Sequence, residues 1–194
     1  HTLAAPTASE ASVAADTPVV EAFATFREAV SQWGYGELRG FLHEAEKRPR
    51  GEAIALLTLL LDRRYPTGEL RRSSLLALVD EALERTFASV AADECDAYCA
   101  GRGDPDGRSV VLDARGFDIE GANSLAIAIA DMVRSGWGDF VVFGCHGHRF
   151  IANAFGPDSG DVCIDVYGSS GDYLGSGIDG ARVIVHGNGQ DQLG

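Results

Sequence analysis

Positive charge is scarce in this chain. Of 194 residues, 16 are Lys or Arg against 29 Asp or Glu, a formal net charge of -13. A nucleic-acid interface needs a basic face and docking on anionic lipid needs a basic patch, so this balance argues against both. Long hydrophobic runs are lacking as well. Nothing approaches the roughly 18 uninterrupted apolar residues of a membrane-spanning helix, and the richest run, Ala53 to Leu61, has the length of a core helix. The opening stretch, 1–16, is rich in Ala, Ser and Thr but has neither the basic start nor the compact apolar centre of a secretory signal, and reads as a disordered leader. Cysteine is sparse too. Cys95, Cys99, Cys145 and Cys163 are too few and too irregularly spaced for a disulfide framework, which favours a reducing, cytoplasmic setting.

What is present divides into two patterns. From 17 to 92 apolar residues recur at helical spacing. Thr17 and Pro18 signal a helix start, after which Val20, Phe23, Phe26, Val30 and Trp33 form one stripe ending at Gly34. A second helix is expected over Gly36 to Lys47. A third, Glu52 to Arg63, is apolar enough to sit centrally. A fourth, capped by Ser73 or Ser74, buries Leu75, Leu76, Val79, Leu83, Phe87 and Val90. Together they predict a helical bundle. The segment 93–108, with Gly101, Gly103, Asp104, Pro105, Asp106 and Gly107, reads as a linker. Beyond it a strand is expected over Ser109 to Asp113, then a helix from Ser124 to Arg134 capped by Asn123, then a strand over Phe140 to Phe143.

The last third is a repeat. Val162, Ile164 and Val166 recur 19 positions later as Ala181, Val183 and Val185, and the same shift carries Gly168 to Gly187, Asp172 to Asp191, Leu174 to Leu193 and Gly175 to Gly194. A looser copy begins with Phe143, Gly144 and Gly147 at an offset of 24, with Ala152, Asn153 and Ala154 where a glycine-bearing corner is expected. One short alternating strand followed by glycine turns is what a stacked β-coil requires. The expected fold class is therefore α+β: a helical bundle over 17–92 followed, over 109–194, by a single-stranded coil stack, a β-helix.

These residues carry a resemblance. Gly147-His148-Arg149-Phe150-Ile151, Gly168-Ser169-Ser170-Gly171-Asp172-Tyr173-Leu174-Gly175 and Gly187-Asn188-Gly189-Gln190-Asp191-Gln192-Leu193-Gly194 resemble the GXGXG domain of glutamate synthase, in its stand-alone archaeal and bacterial form. The approach through Val111-Leu112-Asp113-Ala114 and Phe140-Val141-Val142-Phe143 is similar as well, so the resemblance spans roughly 109–194. It implies a right-handed β-helix serving as a structural subunit of an oxidoreductase complex of nitrogen metabolism, packed against an FMN-dependent synthase part and a glutamine amidotransferase part. It places no catalytic residue and no cofactor in this chain, the FMN belonging to a partner. It assigns structural roles to Gly144, Gly147, Gly168, Gly171, Gly175, Gly187 and Gly194. A related coil in an assembly subunit of formylmethanofuran dehydrogenase supplies a second scaffold reading.

A stack with an open last coil exposes apolar interior and unpaired backbone, so a second chain, another copy or further coils are expected to cover it. Cys145, His146 and His148, with Cys163 and His186 on later strands, are metal-ligand residue types at no standard zinc spacing. On the repeat alignment Cys163 and His186 face outward and Cys145 and His146 sit at a corner. Asp172 and Asp191 are the candidate ligands of a rival reading, a calcium-binding glycine and aspartate module, against which the 19-residue rather than nine-residue period counts. Cys95 and Cys99 share a helical face without forming a redox motif. Asp113, Arg115 and Asp118 follow the first strand, where a polar ligand or plain solvation would suit them.

Overall fold

A computed structural model describes residues 18–92, 109–187 and 189. The predicted linker, with Cys95 and Cys99, lies outside the described residues, as do Asp191 and Gly194. The chain divides into two compact units, with the boundary between Thr86 and Phe87.

The first unit is helical. Helix α1 (Val19–Ala29) runs into a short 3-10 turn at Val30–Gln32 and is followed by α2 (Tyr35–Glu46), α3 (Arg50–Asp62) and the start of α4 (Arg72–Ala92). Pro18 occupies the N-cap of α1, and the Glu37 carboxylate accepts the Gly34 N–H at the start of α2. Helix α3 buries Ala53, Ile54, Leu56, Leu57 and Leu60 and touches both α1 and α2. Its near-continuous apolar sequence thus reflects neighbours on more than one side. Phe26 is fully buried among the rings of Phe23, Trp33, Phe41 and Tyr65, with centroids 5.0–6.5 Å away. Ser73 and Ser74 do not cap α4. They lie inside its first turn, where the Arg71 carbonyl already accepts the Leu75 N–H.

The second unit is one parallel sheet in the order β1 (Val110–Asp113), β2 (Asp139–His148), β3 (Cys163–Ser170) and β4 (Arg182–His186). The β1–β2 crossover contains α5 (Leu125–Arg134), capped by the Ser124 hydroxyl on the Ile127 N–H and not by Asn123. The later crossovers are turns and a 3-10 segment at Pro157–Ser159. This corrects the predicted right-handed β-helix: the fold is α+β with a four-stranded parallel sheet. Each repeat contributes one strand and a return loop, no second sheet forms among the described residues, and α5 covers one face. The apolar interior is therefore filled by a helix and loops against a sheet. Phe140, Val142, Ile164 and Val166 meet Leu125 and Ile129 of α5, with Val183 and Val185 at the fringe.

The repeat survives as strand register. Ile164 pairs with Val183 and Val166 with Val185, an offset of 19; Phe140 pairs with Ile164 and Val142 with Val166, an offset of 24. The return loops are bonded to each other as well. Phe150 N–H donates to the Asp172 carbonyl, Gly175 to Ile151, Ala154 to Ser176 and Asp179 to Phe155, at 2.7–3.1 Å. Stacked loops thereby satisfy backbone groups that a buried irregular segment would otherwise leave unpaired.

Candidate functional site

In open parallel sheets, ligands bind outside the carboxyl ends of the strands. At the end of β1, Asp113 accepts from the backbone N–H of Arg115 at 3.1 Å, and its two oxygens receive Nε and a terminal N–H of the same guanidinium at 2.8 Å each. That guanidinium, foremost through its side-chain hydrogen bond, holds the Asp113 carboxyl below the ordinary carboxylate range. It also lies 5.7 Å from the Phe143 ring centre. Gly144 leaves room for the pair, since a Cβ there would come within 3.2 Å of Arg115 Nε and Asp113 Oδ1. Asp118 belongs to the following loop, exposed, its N–H donating to the Asn123 carbonyl.

The end of β2 carries Cys145, His146 and His148. A bulge between Val142 and Cys145 changes the strand's parity and turns Cys145 inward, fully buried in the core, instead of leaving it at a corner. Its Sγ lies 3.6 Å from His148 Nδ1, which also receives the backbone N–H of His146 at 3.3 Å. With Nδ1 accepting, the thiol is the donor. Burial pushes Cys145 up to about 11, so it stays protonated at neutral pH and offers neither a nucleophile nor a thiolate ligand. The His146 side chain is exposed. Asp172 accepts from Arg149 at 2.7 Å, and Arg149 also reaches Glu120 at 3.0 Å. Asp172 therefore holds a cation already, which counts against the calcium reading. Among the described residues no group of three His, Cys, Asp or Glu side chains could hold a metal ion.

On the sheet face opposite α5 sits a pair that the sequence did not reveal. Asp165 is fully buried, and its Oδ1 lies 2.9 Å from His186 Nε2. The imidazole is buried as well and stacks on Tyr167 with centroids 4.4 Å apart. His186 thus faces away from the apolar core as alignment predicts, yet it is enclosed. Tyr167 also meets the ring of Phe87, the first residue of this unit, at 4.7 Å. The legible signal was an acid flanked by Ile164 and Val166 in an otherwise apolar strand, since a carboxylate in a buried strand requires a partner. Cys163 is half-buried at the start of the same strand.

The glycines form a column. A Cβ at Gly168 would stand 2.5 Å from the Cys145 carbonyl oxygen, and one at Gly187 would stand 2.1 Å from that of Gly168. Gly171 meets the Gly147 carbonyl just as closely, at 2.3 Å. Gly175 follows in the return loop, its N–H bonded to Ile151. Where glycine was expected in the first return loop, Ala152 and Ala154 take left-handed backbone themselves, with φ of 57° and 56°. Phe150 and Tyr173 do the same at 62° and 63°, and their rings stack 5.1 Å apart and nearly parallel. That contact offsets a conformation costing on the order of 1 kcal/mol per residue.

No protein-family model, curated protein or solved structure matches this chain.

Proposed function

We propose that this chain is a non-catalytic scaffold, a subunit or domain of a glutamate synthase-like, FMN-dependent, amidotransferase-linked oxidoreductase working in the cytoplasm. The observation that carries the reading is where the glycines of the resembling motif fall. Gly168, Gly171 and Gly187 lie at backbone approaches of 2.1–2.5 Å for an added Cβ, not around a cleft. Their chemistry is close packing of successive loops, which suits a structural element. The polar groups agree with it: Cys145 is held as a thiol, Asp172 is occupied by Arg149, and Asp165 is enclosed with His186. None of these offers a reactive atom to a substrate.

Strand β4 supplies the place for a partner. It has one neighbour among the described residues, and Val183, Ile184 and Val185 are only half-buried. An edge strand of this kind accepts a further strand through its free backbone groups. No helix among the described residues is long and apolar enough to cross a membrane. Affinity purification from the native lysate tests the proposal. Co-purification with a flavoprotein showing FMN absorbance and with a glutaminase activity is the expected result; recovery of the chain alone, as a monomer, overturns it.

A further inference from the structure

The helical unit carries a concentration of positive charge that neither the scaffold reading nor the acidic composition accounts for. Between α3 and α4, ten positions hold Arg63, Arg64, Arg71 and Arg72, a quarter of the chain's 16 basic residues, accompanied by Glu69 and the preceding Asp62. The segment is built, not loose. Tyr65 is buried with its hydroxyl donating to the Leu60 carbonyl at 2.6 Å, and Thr67 bonds the Leu70 carbonyl at 2.9 Å. Gly68, at φ +57°, passes so close to the backbone of Ser31 that a Cβ would lie 2.0 Å from its carbonyl oxygen. Arg72 closes the connection by donating to the Arg63 carbonyl at 2.9 Å while its guanidinium lies 5.0 Å from the Tyr65 ring centre.

That closure leaves three side chains outside. Arg63, Arg64 and Arg71 are exposed and form no ion pair among the described residues. Exposed Arg85 and Arg115 are balanced by Glu46 and Asp113, whereas Arg27, Arg39 and Arg182, exposed and likewise without an ion pair among the described residues, are scattered over three separate elements and not gathered on one connection. Three guanidinium groups without an ion pair, carried on a connection whose backbone is pinned beside the start of a 21-residue helix, concentrate positive charge there.

We propose that this surface docks an acidic segment of a partner protein, through bidentate guanidinium–carboxylate pairs made by Arg63, Arg64 and Arg71. The charge distribution selects a short carboxylate-rich peptide over a long polyanion. The patch spans a single interhelical connection, and beyond it the chain's net charge of -13 repels any phosphate polymer that extends past the patch. Each of the three presents a planar guanidinium fork, which can meet a carboxylate with two parallel hydrogen bonds.

The test is fluorescence anisotropy of the full chain titrated with fluorescein-labelled hexaglutamate, at low and at physiological salt. The wild-type chain is expected to bind, with affinity falling as salt rises. The triple reversal R63E/R64E/R71E is expected to weaken binding about tenfold or more, and R63K/R64K/R71K, which keeps charge and fold, by about threefold. The charge-matched control R27E/R39E/R182E, at three other exposed arginines, is expected to change it by less than about twofold at physiological salt. Absence of wild-type binding at low salt, or equal losses in both triple reversals, overturns the proposal. Tighter binding of a single-stranded hexanucleotide than of hexaglutamate overturns the partner class. Because the patch lies in the helical unit, failure here leaves the purification test of the scaffold reading untouched, and the reverse holds too.

Discussion

In the helical unit Phe26 touches four other aromatic rings, and Gly36, Gly40 and Gly51 face nothing within 4 Å. In the sheet unit the tightest approaches are backbone on backbone: Gly168 on Cys145, Gly171 on Gly147, Gly187 on Gly168. Apart from Gly68 against Ser31, the helical unit is specified by the shape and hydrophobicity of its side chains, the sheet unit by a column of positions where side chains are missing. Glycine, a weakness in a helix, is thus a packing element in stacked loops. The contrast also separates two kinds of mutational sensitivity, which experiment can pull further apart.

The largest effect is expected at the glycine column. Gly168→Ala places a methyl 2.5 Å from a carbonyl oxygen at a φ of +107°, and neither backbone can yield cheaply. A loss of roughly 4 kcal/mol is expected, confined to amide-exchange protection over 110–186. A comparable loss over 19–86 would break the comparison. Leu57→Ala, at a fully buried position of α3, comes next, with about 3 kcal/mol lost over 19–86 from cavity formation.

Alkaline pH gives a third, smaller probe, because each unit buries one group in its neutral form. Cys145 is raised from 9.0 to about 11, foremost by burial. Above pH 9 the unfolded chain sheds the thiol proton that the folded chain keeps. The unfolded state then binds fewer protons, so stability of the sheet unit falls between pH 9 and 11 and is unaffected by this group below 9. The rise from 9.0 to about 11 corresponds to about 2–3 kcal/mol at most. Tyr65, raised from 10.0 to about 12 by burial, does the same for the helical unit one unit later. Hydrogen exchange or near-ultraviolet circular dichroism followed from pH 8 to 12 should therefore show the sheet unit loosening first. Simultaneous loosening from pH 8 would refute this order.

The smallest effect has the opposite sign. Gly40→Ala lies inside α2 with open space at its Cβ position, and a gain of about 0.5–1 kcal/mol in helical-unit stability is expected from chemical denaturation. A loss there would show that glycine serves packing inside the helices too, and not only at the Gly68 turn.

The helices were legible because their stripes are local, though not at every residue: Phe26 and Val30 bury as their spacing predicts, whereas Val20 on the same stripe is exposed and Ala22 buries instead. Their boundaries slipped by a few residues where proline or a turn, not the stripe, set the start, as at Pro18 and Pro49. The 19-residue repeat was equally legible, and it reappears as the register of β3 on β4. What it could not say was how the return half of each repeat closes. A single-stranded coil stack and a sheet with stacked loops share the same glycine spacing, and the choice rests on loop-to-loop bonds and on α5 covering one face, both long-range.

The candidate site shows the same division. Cys145, His146 and His148 are adjacent in sequence, but only the bulge after Val142 decides that the thiol turns inward and loses its reactivity. The Asp165–His186 pair joins residues on different strands, so the local pattern flags the acid in an apolar strand but not its partner. Charge, helix faces and the strand repeat could all be read along the chain, because each depends on near neighbours in sequence. Fold closure, the burial of the polar pairs and the unbalanced state of Arg63, Arg64 and Arg71 came from tertiary packing alone, because each depends on which distant group fills, or leaves open, the adjacent space.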